Sequence, residues 1–335
     1  MYLLYILSGL VLLVGAAYLI KSAEVRKGRK LADEEYARTH VERFAATDAL
    51  EHITLIPLVD SRSADPALKT ENGVSYLIET DKANVLLDLG FNRKGEHPSP
   101  LLHNMQKLGK SFDNIDAIII SHAHLDHLGG LKEQRSHQFS ISQGAVNTPA
   151  IPVYAPARLA PSAFNPQLSD IRLSAEPTEI APGIYTIGVI PRHLFLMGRV
   201  EEQALALRLA GKGIVLVIGC GHQKIQRIIE RTHALFRDPI YAVIGGLHLP
   251  VNGRTAFERI QYVVGDDHPP HRGLSQKDVH AAIRSVQDAD AQVVSLSPHD
   301  SSEWSLARFK AAFGERYVDL KVGQELKLTR PEHPE

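Results

Sequence analysis

Cysteine is all but missing from this chain: among 335 residues only Cys220 is one. That excludes an intramolecular disulfide framework and any zinc site built from four thiolates, and it suits a reducing compartment. Excess charge of either sign is missing too. Lys plus Arg number 37 and Asp plus Glu 38, so no global field directs the protein toward a polyanion, and no nucleic-acid partner is expected. Nucleotide-loop and serine-hydrolase signatures are also absent. There is no Walker A loop, no G-x-G-x-x-G behind a strand and no serine elbow. The stretch GCGHQK at 219–224 has the wrong glycine spacing and lacks G-K-[ST]. No repeat of 20–50 residues and no low-complexity tract is visible. What remains, 44% hydrophobic and 22% charged, is ordinary globular material, enough for one large domain or two modest ones.

The amino terminus stands apart. From Tyr2 to Ile20 the run YLLYILSGLVLLVGAAYLI carries no charge, about the length needed to cross a hydrocarbon core of ~30 Å. A buried core helix and a cleaved signal peptide are the rivals. A signal peptide has a basic n-region ahead of a shorter apolar stretch, whereas here Lys21, Arg26, Lys27, Arg29 and Lys30 follow the run. By the positive-inside bias this flank stays in the cytoplasm. The expected organisation is a single-pass transmembrane anchor at 1–22, a juxtamembrane helix or linker at 23–50, and a cytoplasmic domain at 51–330.

After Glu51 short apolar runs alternate with helical periodicity. Strands are expected at His52–Val59, Ser75–Glu79, Val85–Asp88, Ala117–Ile120, Val153–Ala155, Gly183–Ile187, Ile214–Ile218, Tyr241–Ile244 and Gln292–Leu296. Helices are expected near Pro100–Leu108, Lys224–Leu235, Gln276–Val286 and Ser305–Phe313. Residues 137–182, rich in Pro, Ser and Ala, read as loops with a short strand or two and as a candidate lid. The interleaving predicts layered α/β packing with functional residues at strand ends. Asp88, His122, His222, His248 and His299 each lie at or just past the end of such a strand. If those ends share one edge, five loops converge.

The densest chemistry is DAIIISHAHLDHLGGL at 116–131. His122, His124, Asp126 and His127 form an H-x-H-x-D-H pattern directly behind an apolar strand. A tight turn lets the alternate histidines point one way while Asp126 and His127 turn toward a second centre. Imidazole and carboxylate without thiolate suit zinc, iron or manganese. Gly129–Gly130 frees the backbone to leave the loop and start a helix.

This stretch resembles the signature of the metallo-β-lactamase superfamily. GIVLVIGCGH at 213–222, YAVIGGLHLP at 241–250 and SPHDSS at 297–302 narrow the resemblance to the branch containing the archaeal dihydropterin–ribofuranosylaminobenzene phosphate synthases and related metal-dependent hydrolases. GVSYLIET at 73–80, VLLDLG at 85–90, and VIPRH at 189–193 followed by Glu201–Glu202 also fit. The resemblance spans about 53–328. It implies a metallo-β-lactamase-like αββα sandwich holding one or two divalent metal ions, foremost Zn2+, with Fe or Mn as alternatives. His122, His124 and His222 would hold the first metal; Asp126, His127 and His299 would face the second; Asp88 would brace the loop. His248 stands where many members carry a bridging aspartate, so it would bind one metal, contact substrate, or leave the second site weak.

Other residues read more plainly. Cys220 is expected as a small buried residue near the site. His193 reads as a surface-loop histidine, and His268, His271 and His280 as members of a solvated Pro-rich loop. Arg192 and Arg272 become anion anchors only if their loops fold over the pocket. The expected activity is hydrolysis of a small-molecule ester, phosphoester or lactone by a metal-bound hydroxide, with Asp126 as catalytic orienter. The alternatives are a transferase resembling the archaeal synthases and a non-catalytic, membrane-tethered metal-binding module.

Overall fold

The apolar runs become strands covered on both faces, which is why they read as continuous rather than alternating. A computed structural model describes residues 2–45 and 48–331. Seven strands form one sheet in the order Leu326–Thr329, His52–Val59, Ser75–Thr80, Val85–Leu87, Ala117–Ile119, Val153–Ala155 and Ile171–Leu173. Six form the other: Val293–Leu296, Ile240–Gly245, Gly213–Ile218, Ala204–Leu209, Ile184–Thr186 and Thr178–Ala181. Between the sheets lies one buried cluster, including Leu55, Tyr76, Ile119, Leu205, Val217 and Ile244. The outer face of the seven-stranded sheet buries Leu86, Ile118 and Val153 with Leu101 and Met105 of the helix Pro100–Lys107. The outer face of the six-stranded sheet buries Leu216 and Val243 with Ile228, Val279 and Phe309, from helices Ile225–Leu235, Gln276–Asp288 and Glu303–Phe313. Three clusters therefore separate four layers, helix–sheet–sheet–helix.

Within each sheet the strands that precede the candidate residues are mutually parallel. Val85–Leu87 pairs parallel with Ala117–Ile119, and Gly213–Ile218 pairs parallel with Ile240–Gly245, which pairs parallel with Val293–Leu296. Their carboxyl ends therefore share one edge, where α/β sheets carry their ligands.

Residues 137–182 are not a lid. They contribute Val153–Ala155 and Ile171–Leu173 to one sheet and Thr178–Ala181 to the other, and none of them lines the cavity at the strand edge. Two segments with no strong sequence signal contribute to its lining instead: a hairpin of Ile190–Leu194 and Gly198–Glu202, through Arg192 and Leu194, and residues 265–267, which follow the helix Ala256–Val264. The hairpin strands are short and carry Pro191 and several charges. The helix starts on a capping box between Thr255 and Glu258.

The amino-terminal run is the first half of a single helix, α1, from Tyr2 to Arg38. It is long and apolar enough to cross a membrane, and its apolar window is 6% buried. The second half docks on the domain. Val25 and Ala32 are buried, Tyr36 packs on the helix-side core, and a Cβ on Gly28 would run into the His193 ring. These four recur at three- and four-residue spacing, one face of a helix.

Candidate metal centre

The loop after Ala117–Ile119 begins with Ser121 and His122 and runs into a single helical turn, Leu125–Leu128. It closes on Gly129, whose φ of 89° lies in the left-handed region and whose missing Cβ admits the carbonyl of Ser140. The backbone carbonyl of Asp126, second in that turn, accepts from Val74 N, just ahead of the strand Ser75–Thr80. The other histidines arrive from the ends of Gly213–Ile218, Ile240–Gly245 and Val293–Leu296.

All six predicted histidines gather in one cluster. Ring centroids lie 4.4 Å apart for His122–His124, 4.1 Å for His122–His127, 5.2 Å for His122–His222 and 5.0 Å for His124–His222. His222–His248 measures 4.4 Å and His127–His299 5.7 Å. Asp126 Oδ2 lies 3.7 Å from His127 Nε2. His222 and His248 also line a cavity of about 180 Å3, together with Arg192, Leu194, Lys224 and Asp267.

The outer nitrogens of these rings are tied down. His127 Nδ1 donates to Asp88 Oδ2 at 2.7 Å, and His222 Nδ1 to the Gly265 carbonyl at 3.2 Å. His299 Nδ1 lies 2.6 Å from Ser297 Oγ, which donates to Asp60 Oδ2, and His122 Nδ1 lies 3.0 Å from Ser121 Oγ, which donates to Asp88. Such anchoring fixes the tautomer and leaves Nε2 for a ligand. The buried Nε2 atoms of His127, His248 and His299 have no partner, and His122 Nε2 meets only His124 Nδ1, at 2.9 Å. The ligand atoms of His127 and His299 lie within 4.8 Å of each other, whereas His248 turns Nε2 toward Gly265 and Nδ1 toward Cys220 Sγ; buried, unpartnered imidazole nitrogens are costly without a cation. The donor set fits a divalent metal.

Electrostatics agree. Burial, reinforced by neighbouring imidazoles, depresses His122, His222 and His299 well below the usual imidazole range and takes His124 to about 3; burial also takes His248 to about 4. These rings are neutral, the form that ligates. Burial would lower His127 as well, but the Asp88 and Asp126 carboxylates outweigh it and push the ring up to about 9. A bound cation would reverse that preference.

The solved structure of Tm1679, a metal-dependent hydrolase of the β-lactamase superfamily, superposes with a TM-score of 0.58 at 20% identity, over 83% of this chain and 99% of that one. The metallo-β-lactamase superfamily model matches residues 68–139, which include the His122–His127 loop. The domain has the metallo-β-lactamase fold. Members of the superfamily bind divalent metals. Among curated relatives, a 7,8-dihydropterin-6-methyl-4-(β-D-ribofuranosyl)-aminobenzene-5'-phosphate synthase of Methanocaldococcus jannaschii is 27% identical over 220 residues, 54% of this chain and 71% of that protein. An uncharacterised protein of the same organism, MJ0448, is 27% identical over 219 residues, 58% of this chain and 79% of its own length.

Within this metallo-β-lactamase domain several residues hold positions that sequence reasoning did not assign. Cys220 is buried, as expected, but it is central: it falls within 4.8 Å ligand reach of His122 and His222, of His127 and His299, and of His248 and Asp300. Asp300 is fully buried and its Oδ2 accepts from the His248 backbone at 2.8 Å. Burial raises its carboxyl well above the ordinary range. Glu202 Oε1 accepts from Cys220 N and Gly221 N, and burial raises it to about 7. Asp60 is raised to about 7 by burial too, against the hydrogen bonds from Ser297, Ser61 and Tyr76. Asp60 closes the strand HITLIPLV, so the same strand-end rule that singled out Asp88 would have found it. Asp300 adjoins His299, but nothing in SPHDSS says which of the two turns inward. Asp88 and His248 have φ of 61° and 49°, strain of the kind held at functional sites.

The remaining candidates divide. Arg192 reaches the cavity, where its guanidinium pairs with Asp267; Arg272 is exposed and does not line it. His193 packs against α1 rather than the site. His268 pairs with Asp267 at 2.8 Å, His271 rests near Tyr18, and His280 lies against Trp304.

Proposed function

We propose that this protein is a membrane-anchored, metal-dependent hydrolase of a small-molecule ester, phosphoester or lactone. The observation that carries the reading is the buried set of unpartnered imidazole nitrogens beside an accessible cavity. In this reading His122, His124 and His222 hold one divalent metal, Zn2+ foremost, and Asp126, His127 and His299 a second. His248, whose ring neighbours His222, completes the cavity-facing side. A metal bound there would supply Lewis-acid chemistry, bringing the pKa of water toward ~7 and polarising the scissile group. The chain's own residues do the rest. Asp88 holds the His127 ring through Nδ1, and the Asp60–Ser297 pair holds His299. Asp126, whose side chain keeps 16% exposure, orients the attacking water and accepts its proton. Leu194, Leu247 and Leu249 wall the cavity against bulk water.

The anchor is residues 1–22, and the basic flank after it favours a cytoplasmic domain. Measuring metal per chain on full-length protein in detergent, purified without chelator, tests the centre. Two equivalents are expected. None, after adding zinc, manganese or iron in turn, would sink the reading. A transfer reaction is the second reading, supported by the similarity to a protein named as a synthase. Turnover in 18O-water separates the two: hydrolysis puts the label into product, whereas transfer to another acceptor does not.

A further inference from the structure

The anchor helix leans on the walls of the cavity. Strand Ile190–Leu194 alternates in the usual way. Arg192 and Leu194 line the cavity, while His193 faces α1, where Gly28 leaves room for its ring. The next residue, Phe195, is buried, with its ring 6.3 Å from that of Tyr18. The second wall does the same. Gly265, Asp266 and Asp267 line the cavity, and His271, a few residues on, has its ring 5.7 Å from Tyr18. Tyr18 belongs to the uncharged run, three residues ahead of Lys21. Both cavity walls therefore meet α1 at the depth where its apolar stretch gives way to charge, the level at which aromatic residues sit in a headgroup zone.

Beyond these contacts the hairpin tip and the helix that leads into the second wall keep apolar side chains outside. Leu196 at the hairpin tip is 46% exposed and Ile260 on the helix Ala256–Val264 is 56% exposed. Inside, the basic groups Arg192 and Lys224 of the lining, with Arg29 reaching in from α1, are matched by Asp266, Asp267 and Asp278, which leaves Leu194, Ile225, Leu247, Leu249 and Leu274 to set the character of the lining. Such a lining suits hydrocarbon better than a compact polyanion.

We propose that the hairpin tip and the helix Ala256–Val264 rest in the lipid headgroup region beside α1, and that the substrate is a membrane-resident amphiphile, an ester or phosphoester with a hydrocarbon tail, taken from the leaflet into the cavity along these walls. The proposal rests on the anchor and hydrolase readings above and narrows the substrate class.

Two measurements on full-length protein in phosphatidylcholine nanodiscs test it without reading turnover. Nitroxides are placed at L196C, I260C and, on the edge strand Ile171–Leu173, L173C; Cys220 is buried and stays unlabelled. Oxygen should broaden the spectra at 196 and 260 more than a water-soluble nickel chelate does, with the order reversed at 173. Nickel access as high at 196 and 260 as at 173 overturns the membrane contact. Wild-type protein is then photolabelled with a phosphatidylcholine carrying a diazirine in its acyl chain. Adducts should map to 190–202 and to cavity residues in 247–274, and be lost on adding an alkylphosphocholine but not phosphocholine. Adducts confined to 2–20, or lost equally with both competitors, overturn the substrate class. Failure of the hydrolase reading shows instead in metal content and product labelling.

Discussion

In four rings of the cluster, His122, His127, His222 and His299, Nδ1 is tied to a hydroxyl, carboxylate or carbonyl. The double variant H122A/H124A removes two of the three ligands proposed for the first site, so full-length protein should retain one metal equivalent fewer by elemental mass spectrometry while its far-ultraviolet dichroism stays unchanged. Undiminished metal in that variant would refute the assignment. Protonation carries a second consequence. His124 and His248 have native pKa values of about 3 and about 4, lowered by burial, against ~6.5 in the unfolded chain. The stability tied to their neutral form is whole above about pH 6.5 and declines as pH falls toward those native values, because the unfolded chain takes up protons the native one refuses. Each contributes a slope of up to about 1.4 kcal/mol per pH unit. Metal-free H124Q/H248Q protein should therefore lose less stability than wild type between pH 6.5 and 4.5 in urea titrations. Parallel curves would show that these rings are not desolvated as described.

At the scale of elements, α1 and the hairpin are packed through one tight point. Replacing an exposed helical glycine by alanine ordinarily stabilises by up to about 1 kcal/mol. Gly28→Ala should do the opposite, because its methyl group meets the His193 ring. A lowered Tm and faster proteolysis between residues 38 and 50 are expected, with H193A restoring both in the double variant. If G28A is more stable than wild type, the helix is not docked as described. The strands were largely legible: IVLVI and AIII are short, β-branched and continuous because both faces are covered. The hairpin and the helix Ala256–Val264 were not. The hairpin's faces meet a cavity and a helix rather than core and water, so no period-2 hydrophobic signal survives in IPRHL or GRVEE.

Across the whole molecule, the two halves of α1 differ: the first is apolar and exposed, and the second docks on the domain. Removing residues 1–20 should move the protein from the membrane to the soluble fraction and leave its metal content intact. Removing residues 1–40 deletes the partners of Arg192, Arg199 and Arg227 supplied by Asp33 and Glu35 and uncovers the hairpin. That form should bind substrate several-fold more weakly in KM or aggregate during purification. Identical kinetics for the two truncations would show that Val25–Tyr36 is a linker after all.

The sequence by itself determined the membrane-length run, the alternation of strands and helices, and the H-x-H-x-D-H loop with its three later histidines, because periodicity and ligand spacing are local properties of the chain. It also implied convergence, since five polar residues followed five strands. Only the tertiary structure decided that those strand ends share an edge, which depends on parallel pairing between segments up to about fifty residues apart. It alone brought Asp300 and Asp60 into the cluster, and it docked a charged juxtamembrane stretch against the hairpin that lines the cavity. Those outcomes depend on which surfaces meet, and surfaces are formed by packing, not by neighbours in sequence.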